Sequence, residues 1–209
     1  AGVGPICVVP RVQAKGVGRA LMRHVVDHAL KTHGPQVRLF QEAYNMTSLS
    51  LYTSIGFEVT EPAAILSVPP MADARTRPLT PGDVDAADTL CVATQKVSRR
   101  NELLGMIANG PAFGCVPHGR FDGARMTAFC VPGFFGFAAG ETADDLLIAS
   151  RVAVAALPPP LQRIILPTNH GPLFRAAPTH GLRAVKVGQL MAIGPYERPT
   201  GFWAPSISY

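Results

Sequence analysis

Two glycines near the start of the chain could form an anion-binding turn. Gly16 and Gly18 follow an apolar segment, Ile6 to Val9, and precede a run with helical periodicity. Glycines let backbone N–H groups approach a ligand without obstruction by side chains, and a helix start adds unpaired donors and a positive dipole end. Lys15 and Arg19 add positive charge beside the turn. The spacing therefore indicates an anionic ligand, although a plain tight connection explains a lone G-x-G turn equally well.

A second motif follows further along the chain. Residues 45–57 read N-M-T-S-L-S-L-Y-T-S-I-G-F, after a short apolar segment, Val37 to Phe40, that is predicted to be a strand. In their order and spacing, the Q-x-x-G-x-G turn and the N-x-x-S-x-x-L-Y-x-x-x-G-F motif resemble the two signatures of the GNAT superfamily of acetyl-CoA-dependent N-acetyltransferases. Each signature is unspecific by itself, but the two together at this spacing are strong evidence for the resemblance to this superfamily.

The resemblance implies a role for each matching position. The loop would bind the pyrophosphate of acetyl-CoA, and the extended segment before it would pair through its backbone with the pantetheine arm. The implied cofactor-binding residues are Val8, Val9, Gln13, Ala14, Lys15, Gly16, Val17, Gly18, Arg19 and Asn45. Tyr52 matches the family's usual general acid, and a phenol with an ordinary pKa of about 10 can protonate the departing thiolate at neutral pH. The alternative for Tyr52 is packing of a helix against the sheet.

A general base and a metal site are less evident. Gly2 to Pro10 contains no acidic residue, and Glu42, at the end of the next strand, is the nearest candidate base. A solvated carboxylate at a strand end is the stronger interpretation of Glu42. His24 and His28 have the spacing of H-E-x-x-H zinc motifs, but Val25 stands where those motifs need a glutamate. We therefore expect no metal.

Composition limits the classes of protein. The chain has 209 residues, a length sufficient for one large or two modest domains. Of these residues, 47% are hydrophobic and 16% are charged, which is typical of a globular protein. A net charge of +5 suits an anionic cofactor but is too small and dispersed to indicate nucleic acid. No apolar run reaches the roughly 18 residues of a membrane span, and the first residues lack the pattern of a secretory signal. We expect a cytoplasmic protein with no membrane partner, and a homodimer is left open.

The four cysteines are expected to be free and buried. They lack the close pairing of a metal or redox motif and fall in apolar contexts. They are Cys7, Cys91, Cys115 and Cys130.

The chain is predicted to have an α+β (α/β) fold with tandem GNAT-like domains, each a mixed central sheet flanked by helices. Ala1 falls almost on the strand that the family places in the middle of its fold, so residues 1–68 are expected to be the C-terminal half of the acetyl-CoA-binding domain. Residues 69–82, rich in proline, are a predicted linker. Residues 83–209 are expected to be a second, degenerate GNAT-like domain, because the order of predicted elements is again similar to the family.

The predicted elements of that second domain come from caps, glycine turns and apolar runs. The predicted helices are Asp83 to Val97, Ser98 to Asn109 with a serine cap, Asp144 to Ala155, and a short one near Leu173. The predicted strands are Ala112 to Val116, Met126 to Val131, Phe134 to Ala138, Ile164 to Leu166, and Leu182 to Ile193.

The second domain departs from the family pattern at its turn. Thr142 and Asp145 form a capping-box-like pair at the helix start, so carboxylates already satisfy the N–H groups that a pyrophosphate would need. Ala177 stands where Tyr52 stands in the first domain. We therefore predict that the second domain binds no coenzyme A and either shapes the acceptor site or stabilises the pair. Trp203, in an aromatic tail that ends at Tyr209, either lies at the acceptor site or packs a terminal strand, and packing is the stronger interpretation.

Two functions are consistent with these patterns. The first is an N-acetyltransferase that acts on a small amine or a protein amino group. The second is a module that binds coenzyme A or a partner without turnover, because the front half of the first domain is not in the sequence and the second domain lacks the motifs.

Overall fold

A computed structural model describes residues 1–13, 15–133 and 135–208. Within these ranges the chain forms six α-helices and nine β-strands, which confirms the α+β class. The helices are Val17–Thr32 (α1), Met46–Ile55 (α2), Val84–Gln95 (α3), Arg100–Asn109 (α4), Ala143–Ala153 (α5) and Gly171–Ala176 (α6). The strands are Val37–Glu42 (β1), Glu58–Ser67 (β2), Thr76–Pro78 (β3), His118–Asp122 (β4), Arg125–Cys130 (β5), Ala138–Gly140 (β6), Arg163–Pro167 (β7), Arg183–Ile193 (β8) and Phe202–Ala204 (β9).

The central sheet has four strands in the order β1-β8-β2-β7, and each neighbouring pair is antiparallel. β8 comes from near the end of the chain yet lies between β1 and β2, with Val37 opposite Ile193 and Glu42 opposite Gly188. The sheet therefore joins strands from both sides of the predicted linker at residues 69–82. The division of the chain into domains at that linker stays a prediction.

Two strand–helix–strand units build this sheet by exchanging their second strands. The first unit is β1–α2–β2, and the second is β7–α6–β8. β1 pairs with β8 and β7 pairs with β2, while the two second strands pair with each other at the centre of the sheet. The first strand of each unit is thus completed by a strand of the other unit.

The second sheet has five strands in the order β3-β4-β5-β6-β9, and its neighbours are also antiparallel. β9 pairs with β6 and places Trp203 opposite Ala139. Trp203 is 2% exposed and packs with Ile65, Ile165 and Leu190 of the central sheet. The C-terminal tail therefore ties the two sheets together, which supports the packing role of Trp203.

Two predicted strands of the second half do not form as expected. The strand predicted at 112–116 is wrong, because residues 110–113 form a 3₁₀ helix and Gly114 turns the chain with a φ of 72°. Strand β4 begins only at His118. The strand predicted from Phe134 begins at Ala138, because a turn in which Gly136 N–H donates to Gly133 O at 2.9 Å precedes it. Phe134 itself lies outside the described residues.

The serine cap predicted for α4 also differs. The helix begins at Arg100, and its N-cap position is Arg99 rather than Ser98. The Ser98 hydroxyl donates to the Asp88 carboxylate at 2.8 Å, and the other oxygen of Asp88 accepts from Arg99 N–H at 2.7 Å. A carboxylate on the preceding helix therefore holds this turn.

Candidate active site

A cleft opens where the first residues of the chain diverge from β1. Arg38 N–H donates to Ala1 O at 2.8 Å, and Val3 N–H donates to Arg38 O at 2.8 Å, around an isolated parallel bridge. Beyond Val3 this pairing stops, and Ile6 to Val9, the extended segment expected to act as a strand before the loop, forms no strand in the structure. The physical reason is Pro5, which has no N–H to continue a ladder toward β1. The segment is left free to diverge.

The cleft has a volume of about 360 Å³ and takes its walls from distant parts of the chain. Ile6 belongs to the diverging segment, residues 4–13, and Gln41 belongs to β1. Tyr52 belongs to α2, and Ile207 to the C-terminal tail. The structure thus brings the predicted acid to the segment that was expected to hold the pantetheine arm.

The predicted pyrophosphate loop is held on this segment by Gln13. Its side-chain Nε2 donates to Val8 O at 2.8 Å, and its N–H donates to Pro10 O at 3.1 Å in a 3₁₀ turn. The side-chain amide and the backbone N–H of Gln13 each bond within the loop, so its contribution to an anion site is to position the backbone. Ala14, expected to bind the cofactor, lies outside the described residues.

The start of α1 is open to an anion. Gly16 is the N-cap residue with a φ of 81°, a left-handed conformation that favours glycine, and no side chain among the described residues caps the helix there. Ala20 N–H donates to Gly16 O at 3.0 Å, so the N–H groups of Val17, Gly18 and Arg19 precede the hydrogen-bond ladder of the helix. The first turn also carries no acidic residue. These donors and the dipole are available to a phosphate group.

Gly18 is not required by the surrounding protein. A Cβ built on Gly18 would lie 3.6 Å from Leu51 Cδ2 and 3.7 Å from Val8 Cγ2, which are ordinary contact distances. Lys15 and Arg19 are exposed on either side of the turn. The loop therefore combines close backbone access with two solvent-accessible cations.

The corresponding turn of the second half, at the start of α5, already has protein partners. Thr142 Oγ1 accepts from Asp145 N–H at 3.0 Å and donates to the Asp145 carboxylate at 2.8 Å, which confirms the predicted capping pair. Arg120 contacts the same carboxylate in an ion pair. On the adjacent edge, β9 pairs with β6. The prediction that this turn binds no coenzyme A stays a prediction, and these contacts support it.

Helix α2 positions Tyr52 at the cleft. Asn45 Oδ1 accepts from Ser48 N–H at 3.1 Å and caps the helix, and Gly56 ends it with a φ of 111°. The ring of Tyr52 lies 5.9 Å from that of Phe57, so it packs in the core as the alternative interpretation expected. Burial, followed by the nearby Cys7 thiol, raises the pKa of Tyr52 above its ordinary value, so the phenol keeps its proton at neutral pH.

Glu42 lies in the cleft wall but is committed to an ion pair. Its Oε1 lies 3.0 Å from Lys186 Nζ on β8. Burial alone would raise the pKa of Glu42, but hydrogen bonds from Tyr44 and Lys186 outweigh that effect and lower it. A carboxylate with a lowered pKa accepts a proton poorly, so this geometry favours the solvated strand-end interpretation over a general base.

The other candidate ligands do not converge. Across the described residues, no group of three or more His, Cys, Asp or Glu side chains could hold a metal ion. The cysteines are free, and Cys91 and Cys130 are buried as predicted. Cys7 is exposed, because the diverging segment leaves the sheet, and Cys115 is only partly buried. Burial raises the pKa of Cys91 and of Cys130 to about 12. Within the same described ranges, no helix has both the length and the apolar character that crossing a bilayer requires.

Sequence reasoning missed Ile207, which lines the cleft from the far end of the chain. No local pattern around Ile207 indicates this position, because it depends on how the tail crosses both sheets.

Comparisons with known proteins agree with this geometry. A family model described as an acetyltransferase (GNAT) domain matches residues 1–59. A candidate acetyltransferase from Pyrococcus horikoshii has a similar structure, with a TM-score of 0.71 and 10% identity over 95% of this chain and 68% of that chain. A GCN5-related N-acetyltransferase from Sphaerobacter thermophilus aligns with a TM-score of 0.51 and 16% identity over 91% of this chain and 72% of its own.

A third similar structure is a tandem GNAT protein from the clavulanic acid biosynthesis pathway. It aligns with a TM-score of 0.50 and 10% identity over 91% of this chain and 74% of its own. No curated protein matches the sequence. At these identities the structures establish the fold, whereas the family model adds a match in sequence to the part of the chain that carries the loop, the cleft and Tyr52. Residues 1–59 therefore match a GNAT acetyltransferase domain in sequence, and the chain shares the fold of these acetyltransferase structures.

Proposed function

We propose that this chain binds acetyl-CoA and serves in the transfer of its acetyl group to an amine, as an N-acetyltransferase of the tandem GNAT type. The observation that carries the proposal is one juxtaposition. The uncapped start of α1 and the cleft that Tyr52 lines lie at the two ends of a single diverging segment, residues 4–13. An extended phosphate-bearing thioester would meet both.

The loop would hold the pyrophosphate. The N–H groups of Val17, Gly18 and Arg19 precede the helix ladder, and the Lys15 and Arg19 side chains supply charge of the opposite sign. The backbone of Val8 and Val9 would pair with the pantetheine arm as an added strand does. Since Gln13 already bonds Val8 O, the arm would use the other backbone groups of this segment.

The cleft would hold the reacting thioester. The neutral amine nitrogen attacks the thioester carbonyl carbon, and the C–S bond breaks as the amide bond forms. The thiolate takes the proton of the Tyr52 phenol, and the proton that the nitrogen loses passes to solvent, from which the phenol is reprotonated. The raised pKa of Tyr52 keeps that proton in place until the thiolate forms. Backbone N–H groups that leave the ladder after Val3 are suited to polarise the carbonyl oxygen.

The second half would stabilise the first and complete its cleft. β8 supplies the neighbour of β1, and the tail supplies Ile207. Its own turn is occupied by Thr142 and Asp145, so one acetyl-CoA per chain is expected.

Titration calorimetry and thiol release test the function. We expect acetyl-CoA to bind with a stoichiometry of about one per chain, and free thiol to appear only when a suitable amine from a panel is added. An absence of heat with acetyl-CoA would show that the loop does not bind the cofactor. Tight binding with no thiol release under any amine would instead support the non-catalytic module.

A further inference from the structure

The C-terminal tail enters the notch at which the first residues diverge from β1. Phe40 N–H, the next donor along β1 after the bonds to Ala1 and Val3, donates to Ile207 O at 3.4 Å. A Cβ built on Gly2 would lie 1.9 Å from Ser208 O, so the tail passes directly against Gly2. The tail therefore occupies the position that the ladder vacates.

The Ile207 side chain is held in place by core residues on the side away from the cleft. It is partly buried and packs on the cluster that contains Ile65, Leu190 and Trp203. Isoleucine is branched at Cβ and has few accessible rotamers, so a bonded main chain and a packed side chain together give it a fixed position. Such a residue can set a size limit that a flexible side chain cannot.

The cleft that Ile207 lines has walls of two chemical kinds. Leu39, Phe40, Ile65 and Ile207 are apolar, whereas Tyr52 and its neighbours on β1 and α2 bring hydroxyl, amide and carboxylate groups. An amine nucleophile needs polar partners, but the methyl group of an acetyl thioester needs an apolar wall. The apolar residues therefore suit the acyl chain, and Tyr52 suits the sulfur.

We propose that Ile207 limits the length of the acyl group, so that the chain selects acetyl-CoA over longer acyl thioesters. This inference rests on the proposed function. Each additional methylene that a pocket accepts or rejects changes selectivity by roughly 10- to 200-fold, so one truncated side chain is enough for a measurable effect. The determinant lies in the last few residues of the chain, far in sequence from the cofactor loop.

The test compares acetyl-, propionyl- and butyryl-CoA as substrates of the parent protein and of three variants at Ile207. The variants are Ile207→Ala, which opens the wall, Ile207→Val, which opens it slightly, and Ile207→Phe, which narrows it. We expect Ile207→Ala to raise the butyryl-to-acetyl ratio of kcat/KM by at least about 10-fold, with Ile207→Val intermediate and Ile207→Phe reversed. Calorimetric affinities for the same thioesters should follow the same order, which provides a readout without turnover.

Ile107→Ala is the matched control. Ile107 is also a partly buried isoleucine, but it packs against the cluster around Leu103 on α4, away from the cleft. It should lose stability as Ile207→Ala does and leave the acyl preference of the parent unchanged. Should Ile207→Ala unfold, the Val and Phe variants still give the comparison.

The outcomes separate the two proposals. Acetyl-CoA binding and turnover with an unchanged acyl ratio in all three Ile207 variants would overturn the inference and leave the function intact. A change confined to the KM of the amine would also overturn it, because Ile207 would then belong to the acceptor site. Failure of the parent protein to bind any of the three thioesters would overturn both.

Discussion

Tyr52 both packs in the core and lines the cleft, so the packing that the sequence offered as an alternative is compatible with the proposed role as an acid. Its ring packs 5.9 Å from Phe57, and the same residue lines the cleft. Partial burial is what raises the pKa of the phenol, so packing helps to keep the proton that a thiolate would take. A hydroxyl at this site can be tested without disturbing the ring.

Tyr52→Phe should therefore separate catalysis from binding. We expect kcat to fall by roughly 10²- to 10⁴-fold, the usual contribution of a positioned acid, while the acetyl-CoA affinity changes by less than about twofold. Steady-state kinetics and calorimetry measure the two quantities. Tyr44→Phe is the control, because Tyr44 is 70% exposed and bonds Glu42 rather than lining the cleft. Undiminished turnover in Tyr52→Phe would exclude Tyr52 as the acid.

Glu42 should act on stability and not on chemistry. Its folded pKa lies below the ordinary value of 4.5, so its contribution is present above pH 4.5 and is lost as the pH falls through the folded value. Glu42→Gln should show a small decrease in Tm at about pH 7 that disappears as the pH falls below 4.5 and through the folded pKa, and its turnover should stay within about twofold of the parent. Lys186→Met should lower Tm over the same pH range. A large loss of kcat in Glu42→Gln alone would restore Glu42 as a base.

At the scale of elements, the starts of α1 and α5 differ in which groups bond their free backbone N–H donors. Thr142 and Asp145 cap α5, whereas α1 begins at a glycine in the left-handed region with no side-chain cap. Helix starts without caps are costly, so an external anion at α1 would offset an existing deficit. The loop conformation that exposes these donors depends on Gly16.

Gly16→Ala tests that dependence. A left-handed alanine costs roughly 1–2 kcal/mol, and we expect the strained loop to lose at least about 10-fold in acetyl-CoA affinity by calorimetry. Gly123→Ala is matched, because Gly123 also has a positive φ, 61°, and both positions have open space around a built Cβ. The control should lose stability and keep its affinity. Equal affinities in the two variants would mean that the loop geometry does not matter for the cofactor.

Local signals predicted some elements well and others not at all. The loop, α1, β1 and the cap at Thr142 follow from residues close in sequence. β2 was not predicted, because Glu61 and Pro62 interrupt its apolar pattern, and proline argues against a central strand. Glu61 is buried there with distant partners, because Tyr196 donates to it at 3.1 Å, Arg198 lies 2.9 Å away, and Asn169 Nδ2 donates to its other carboxylate oxygen. Such partners, like Ile207, come from more than a hundred residues downstream and leave no local trace.

At the scale of the whole molecule, the exchanged strands join both halves of the chain in one sheet. β8 lies against both β1 and β2, so a change in the second half reaches the first half directly. Gly188 shows how tight that contact is, since a Cβ there would lie 2.3 Å from Phe40 Cζ and 2.7 Å from Gln41 O.

Gly188→Ala should destabilise both halves together. Overpacking of this kind costs roughly 1–3 kcal/mol, and we expect Trp203 fluorescence and far-UV circular dichroism to report the same lowered midpoint in urea. Trp203 is the single tryptophan, so its signal is specific to the tail. Gly105→Ala, inside α4 with open space around its Cβ, should instead gain about 0.5–1 kcal/mol. Two separate transitions in the parent would contradict a single unit.

The place of β8 between β1 and β2 also has a consequence for synthesis. The ribosome releases β1 and β2 long before Arg183–Ile193 is complete, about 150 residues after β1 and about 125 after β2, which at typical elongation rates is a delay of roughly 6 to 30 s. During that interval both strands have edges without their final neighbour and are exposed to pairing with other nascent chains. Folding of the first half should therefore be completed only after β8 has left the ribosome, and chaperones that shield such edges should increase the yield of this protein.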